Sequence, residues 1–383
     1  MKVAQIYELV NQATSEMLGE DVVLAEDLSN VVDIGKAVAN TDNLDAYVKK
    51  LVNHIGKVVF VNRLYAGGVP SVLMDSWEFG SIMEKVSAEL PDAHESDSWK
   101  LTDGKDYSPD VFYQPKVEAK FFNSRTTFEI PLSFTEIQVK ESFSNAAQLN
   151  GFLSMLVTSV ENAMTVKLDA LIMRTINNMI GETMEAAGVA ADQTLTNVKA
   201  VNLLKSYNEE TGKTLTADKA LSDPEFIRHA TYVMGLYSDR MARISTLFNT
   251  GGKERFTPKD LQHVVLLSDF AKASDSYLLS NVQNMEKVLL PTHETVPYWQ
   301  GSGTGYEFDE ISAIKVKTAS KVDVEVTGVL GVIFDRDALG VSNLDRRVTT
   351  NYNPKAEFYT NFYKFDAGFY NDLNENFVVF FIG

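Results

Sequence analysis

The residue types able to do chemistry are sparse here, and their spacing argues against most reactions. The five histidines, His54, His94, His229, His263 and His293, fall singly; none pairs with another at i, i+3 or i, i+4, the spacing that lets one helix face hold a metal. They read as surface or core residues. Asp335 and Asp337 in FDRDALG could offer carboxylates to a cation, yet they directly follow an apolar run and are interleaved with Arg336, so a charged turn capping the next segment accounts for them better. GSGTG (301–305) has the glycines of a phosphate loop but lies between PYWQ and YEFDEI, away from any strand-to-helix junction. TGGKERFT (250–257) lacks the first glycine and the closing Ser or Thr of a Walker loop and reads as an exposed turn. No G-x-S-x-G elbow occurs, and with no cysteine there is no thiolate nucleophile, disulfide framework or iron–sulfur site. No catalytic, cofactor-binding or metal-ligating residue is therefore expected, and no cofactor.

Whatever this chain does must then come from its shape and surface. Its 383 residues carry 35 Lys plus Arg against 52 Asp plus Glu, a formal charge of −17, with 45% hydrophobic and 23% charged residues. That is ordinary globular composition with room for two or three units. An acidic balance without a run of basic residues argues against a surface that tracks phosphates. The amino terminus, MKVAQIYELV, has no signal-peptide pattern, which predicts cytosolic synthesis. The longest uncharged stretch of note, 142–160, is too polar to be a membrane span.

Residues 1–57 read as short helical pieces, with Val3, Ile6, Val10, Ala13 and Met17 and then Leu44, Val48, Leu51, Val52 and Ile55 at helical spacing. Their narrow apolar stripes suggest burial against something else. From residue 58 the pattern turns to β, around VVFVNRLY, a Gly67-Gly68 turn and SVLM. Residues 92–110 then hold six acidic and two basic residues, with Trp99, Gly104 and Pro109, and read as a solvated projecting tip. VEAKFF and TTFEIPL alternate as strands beyond it. Residues 81–132 thus form a β-excursion that leaves a body and returns, and such a ribbon needs a surface to lie on.

The strongest signal follows at 144–184, where Leu149, Phe152, Leu156, Val160, Ala163, Val166, Ala170, Met173, Ile176 and Ile180 recur every three or four residues. This predicts one amphipathic helix, capped near Asn145 and ended before Gly188, about 38 residues and roughly 57 Å long. Such a helix must act as a spine for more than one unit. Helices are expected at Asn197–Tyr207 and Pro224–Phe248, a buried strand and helix from His263 onward, and strands through Ile311–Val326 and Gly328–Phe334. Eleven aromatics crowd residues 345–383, which end in FVVFFI, a strand that must return into a core.

Arm, two-stranded excursion, spine helix, mixed domain and return strand, in that order, resemble the tailed-phage major capsid protein of the Hong Kong 97 fold. GGVPSVLMDSWEFGS (67–81), KFFNSRTTFEIPLSFTEIQVKESFSN (120–145), GVLGVIFDRDALGVS (328–342) and NYNPKAEFYTNFYKFDAGFYNDLNENFVVF (351–380) are similar to phage capsid sequences. The resemblance implies an α+β fold divided into an N-terminal arm (1–57), a first P-domain segment (58–81), an E-loop (82–132), a P-domain with the spine helix (133–185), an A-domain (186–344) and a P-domain return strand (345–383). It implies a non-enzymatic subunit that self-assembles, as pentamers and hexamers, into an icosahedral virion shell around double-stranded DNA, enclosed without sequence-specific binding. Portal and decoration proteins are the other partners it implies, with assembly in the host bacterial cytoplasm and no membrane. The chain opens directly on an arm-like helix, which predicts a separate scaffolding protein. Lys100 and Lys105 sit near the expected tip, but no Asn partner stands out, so no isopeptide cross-link is predicted. An encapsulin-type nanocompartment shell and a cytosolic metal-dependent enzyme are the alternatives.

Overall fold

The computed structural model describes Asn11 and residues 70–74, 83–138 (except 90, 92, 94, 97, 108, 109, 111, 115 and 136), 146–279, 290–299 and 313–383. The expected arm apart from Asn11, the strand at VVFVNRLY, the GSGTG turn, His54 and His94 lie outside the described residues, as does all of the arm's apolar stripe. Along the chain come β1 (Leu73–Met74), β2 (Met83–Ala88), β3 (Val117–Phe122), β4 (Arg125–Thr135) and helix α1 (Ala146–Ala186). Next are β5 (Ala200–Asn202), α2 (Leu203–Thr211), α3 (Ala217–Ala220), α4 (Pro224–Met241), β6 (Gln262–Leu267) and α5 (Ser268–Leu279). The remainder is β: β7 (Glu294–Val296), β8 (Ala313–Lys317), β9 (Asp323–Thr327), β10 (Val329–Asp335), β11 (Leu339–Asn353), β12 (Phe358–Asn371) and β13 (Phe377–Phe381).

The runs VLGVIF and FVVFF lack polar alternation, as strands covered on both faces do. They become β10 and β13, adjacent antiparallel strands in the middle of a five-stranded sheet ordered β5-β13-β10-β6-β7, and every residue of both but the polar end of β10 is apolar and buried. Phe334, Phe377, Val379 and Phe381 point into a core shared with α1, while Ile333, Val378 and Phe380 point into a second core under α2, α4 and α5. A four-stranded sheet, β1-β11-β12-β4, carries the long strands, and β8 with β9 makes a separate hairpin.

Helix α1 spans 41 residues, about 60 Å at 1.5 Å per residue. It packs against β13, against β4, β11 and β12, and against the β8–β9 hairpin. From 170 to 184 only Arg174, Asn178 and Glu182 escape full burial, so this part of the helix is enclosed on nearly all sides and is not the one-sided stripe the spacing predicts. Val166 is 46% exposed, and Met164 and Leu168 are buried in its stead. Gly188, at φ +71°, follows the helix where the sequence places its end, and the Val189 N–H closes the last turn on the Met184 carbonyl at 3.0 Å.

Three expected boundaries shift, the first because sheet pairing competes with helix propensity. The helix expected from Asn197 begins instead as β5, which adds a parallel edge to β13; Asn202 then caps α2 by accepting from the Lys205 N–H. The helix expected through Phe248 stops at Met241. The alternation over 311–326 folds back on itself as β8 and β9, leaving Val322 exposed in the turn. The divisions placed at 132/133 and 344/345 fall inside β4 and β11, and the return segment supplies strands to both large sheets.

Gly181, mid-helix in α1, lets the β8–β9 hairpin approach: a Cβ there would stand 2.7 Å from Val316 Cβ. Alanine in a helix interior gains up to about 1 kcal/mol over glycine, but overpacking a dense core costs about 1–3 kcal/mol. Gly181→Ala is therefore expected to lower the melting temperature, and Val316→Gly in the same chain to recover part of the packing term, as read by thermal denaturation of the single and double variants.

Candidate functional site: the anchored ribbon

Strands β2 and β3 pair antiparallel from Met83↔Phe122 to Ala88↔Val117, and the loop between them carries the acidic stretch. Alternation along each strand sends Met83, Lys85, Ser87, Glu118, Lys120 and Phe122 towards the body. The opposite face shows Glu84, Val86, Ala88, Val117, Ala119 and Phe121 to solvent, with Val86, Val117 and Phe121 each more than 60% exposed. This reverses the usual arrangement of a half-covered antiparallel pair, apolar side in and polar side out.

The reversal is held by charge. Lys85 and Lys120 stand directly opposite each other, a like-charge pair that destabilises a ribbon unless an anion intervenes. Asp372, in the turn between β12 and β13, supplies it: Oδ2 accepts from Lys85 Nζ at 3.0 Å and Oδ1 from Lys120 Nζ at 2.9 Å. Lys85 Nζ also donates to Glu375 Oε1 at 2.7 Å and to the Asp337 carbonyl at 3.3 Å, which uses all three of its donors. Arg255 Nε reaches the same Glu375 oxygen at 3.2 Å. Beside this cluster Lys253 bridges Glu89 and Glu118 at 3.1 and 3.0 Å, and Phe122 packs on Tyr370 with ring centroids 5.0 Å apart. TGGKERFT, expected as an exposed turn, thus exposes its glycines but reaches the ribbon through Lys253 and the Glu375 side chain through Arg255.

Burial alone would raise the Asp372 carboxyl, but bonds and charge from Lys120 and Lys85, with the Asn374 N–H, outweigh it and hold the group below its ordinary value. Burial would likewise lower the Lys85 ammonium; Glu375 and Asp372 outweigh it and hold Lys85 above its ordinary value. Beyond the ribbon the loop exposes Trp99, Leu101, Phe112 and Tyr113, Trp99 completely and with φ at +69°, unusual for a bulky residue.

Asp335, at the end of β10, is buried; desolvation raises it, while Thr257 Oγ1 donates to it at 2.6 Å and the Asp337 N–H at 2.8 Å. That is a turn-holding role, as the spacing suggests. Among the described residues no group of three His, Asp or Glu is placed to hold a metal, and no helix is long and apolar enough to cross a membrane. His263 stacks on Phe334, and His293 Nδ1 lies 2.8 Å from the Pro291 carbonyl. His229 brings together groups the sequence leaves apart: its Nε2 is 3.3 Å from Ser206 Oγ and its Nδ1 3.3 Å from Glu210 Oε2, in a cleft of about 520 Å³.

The ribbon thus turns its charges inward and its aliphatic side chains outward, an arrangement for surface contact and not for catalysis, and the class of the chain is that of a structural protein. The model of the Phi29-like phage major capsid protein family matches residues 10–381. The chain belongs to that family, and is a structural shell protein of a tailed phage, located in the virion capsid. Among solved structures it is similar to a chain from the structure of the head fiber and inner core protein gp22 of native bacteriophage P68, at 9% identity over 84% of this chain and 86% of that one, with a TM-score of 0.52. A chain from the capsid structure of Staphylococcus phage Andhra matches at 10% identity over 84% and 85%, with a TM-score of 0.48. The first of these likenesses concerns the fold alone, which is α+β as expected. No curated protein matches the chain.

The pairing dictates how the anchor titrates. A depressed carboxyl contributes stability above its unfolded value, about 3.9, and loses it as pH falls through the lower folded value; a raised lysine contributes below about 10.4 and loses it as pH climbs through the higher folded value. The anchor is thus at full strength between those limits. In an NMR titration of selectively labelled protein, Asp372 is expected to protonate below the ordinary aspartate value, and Lys120→Met to move that midpoint upward. An unmoved midpoint would contradict the pairing.

Proposed function

We propose that this subunit builds an icosahedral shell around the double-stranded DNA of a tailed phage, as pentamers and hexamers joined by overlap of its projecting parts. The observation that carries this reading is the outward apolar face of the ribbon, Val86, Val117 and Phe121, continued by Trp99, Phe112 and Tyr113 on the loop. Contiguous exposed apolar surface on a soluble chain marks a contact site. In the Hong Kong 97 plan residues 82–132 are the E-loop, lying over a neighbour; 1–57 are the arm, 58–81, 133–185 and 345–383 the P-domain, and 186–344 the A-domain. Each contact is modest, and closure of many around a shell multiplies them.

The role needs no turnover, so the chain acts without catalysis or cofactor. Its net charge of −17 suits a container that encloses DNA without gripping it along its length. A separate scaffolding protein, a portal and decoration proteins complete the set of partners, and assembly takes place in the host cytoplasm.

Deletion of residues 92–110 removes the acidic loop while leaving β2 and β3 intact. The shortened chain is expected to melt within a few degrees of the parent and to form few closed particles by negative-stain microscopy when expressed with its genomic neighbours. A chain that no longer folds would show that the loop serves its own subunit. If the parent yields only monomers under all conditions tried, the shell reading fails.

A further inference from the structure

The ribbon's outward face matters only if the ribbon leaves the body at a fixed angle, and the structure shows one residue placed to fix it. Asp372 sits at the junction of three segments: the ribbon through Lys85 and Lys120, the 253–255 loop indirectly through Glu375 and Arg255, and the turn between β10 and β11 through its own N–H, which donates to the Ala338 carbonyl at 2.7 Å. Its side chain is 2% exposed, so these contacts are shielded from bulk solvent. Oδ1 accepts a second bond from the Asn374 N–H at 3.1 Å, which fixes the carboxylate plane. The two lysines it joins are each part-exposed and lie on opposite strands at the same level of the ribbon.

Without that anion the inner face would hold two adjacent ammonium groups with Glu375 serving Lys85 and Arg255 alone. The inner face would then gain by swinging into water, and the outer aliphatic face by turning in. Because alternate residues of each strand face opposite sides, a half-turn of the ribbon about its axis would exchange the two faces.

We propose that Asp372 is the positioning residue of assembly: by bridging Lys85 to Lys120 it sets the direction in which the ribbon leaves the body and keeps its apolar face outward, without itself touching a neighbouring subunit. This rests on the reading of the ribbon as a contact between subunits, and goes beyond it by assigning control of that contact to residues outside it.

The cysteine-free sequence permits a direct test. Cysteines introduced as Asp103→Cys on the loop and Thr246→Cys on the body carry spin labels, and electron–electron resonance reads the distance between them in the monomeric chain. The parent is expected to give one narrow distance; Asp372→Asn and Lys85→Met are expected to give a broad distribution, with a lower melting temperature but a folded chain, and closed particles reduced about tenfold or more. Asp110→Asn, an exposed charge on the same loop, is expected to leave both readouts as in the parent. Narrow distances and parental particle yields in both Asp372→Asn and Lys85→Met would overturn the proposal. Should Asp372→Asn fail to fold, Lys85→Met, which keeps the aliphatic stem, decides it alone. If the parent forms no particles, it is the shell reading that fails, and the distance distribution still decides the role of Asp372.

Discussion

Much else in the fold answers to one requirement, that residues 170–184 of the 41-residue helix α1 be covered around most of its circumference. A helix can usually show one flank to water, but from residue 170 to 184 α1 is buried on nearly all sides, its polar-looking flank included. No single sheet can wrap it. The chain meets the demand by returning to the helix from three directions, with the five-stranded sheet, the four-stranded sheet and the β8–β9 hairpin. The C-terminal segment joins two of these, since β11 and β12 line one sheet and β13 is central to the other.

That economy leaves the ribbon outside. Among the described residues its strands pair only with each other and make no ladder with the body, so side chains do most of the holding. Apolar contacts would have glued it face down and removed its apolar surface from use. Charged contacts, held half-buried against Asp372 and Glu375, attach it just as definitely while leaving the aliphatic face free. Attachment through charge is costly in desolvation and weak for net stability. It gains a defined orientation, which a flat apolar contact does not supply.

Much of this was legible in the residues. The spine helix, its end near Gly188, the central strands Val329–Asp335 and Phe377–Phe381, the excursion and its solvated tip follow from periodicity and turn chemistry, both local signals. The enclosure of α1 was not legible, because burial on the polar-looking flank, Thr175, Asn177 and Thr183, depends on which sheets arrive there. Nor was β5, three residues whose strand character comes wholly from an edge offered by β13. The anchor was hidden for the same reason. Lys85, Lys120 and Asp372 are separated by up to 287 residues, and nothing in KVSA or YNDLNENF marks a partner. The single available hint was the alternation in MEKVSA and VEAKFF, where lysine shares a face with a residue that must be inward.

Strand β12 is hydrogen-bonded to β11 on one side and to β4 on the other along most of its 14 residues. Force applied along such a strand is borne by all its ladder bonds together, whereas force applied across it opens them one after another. The subunit is accordingly anisotropic: it resists pulling along the direction of β12 far better than peeling at right angles to it.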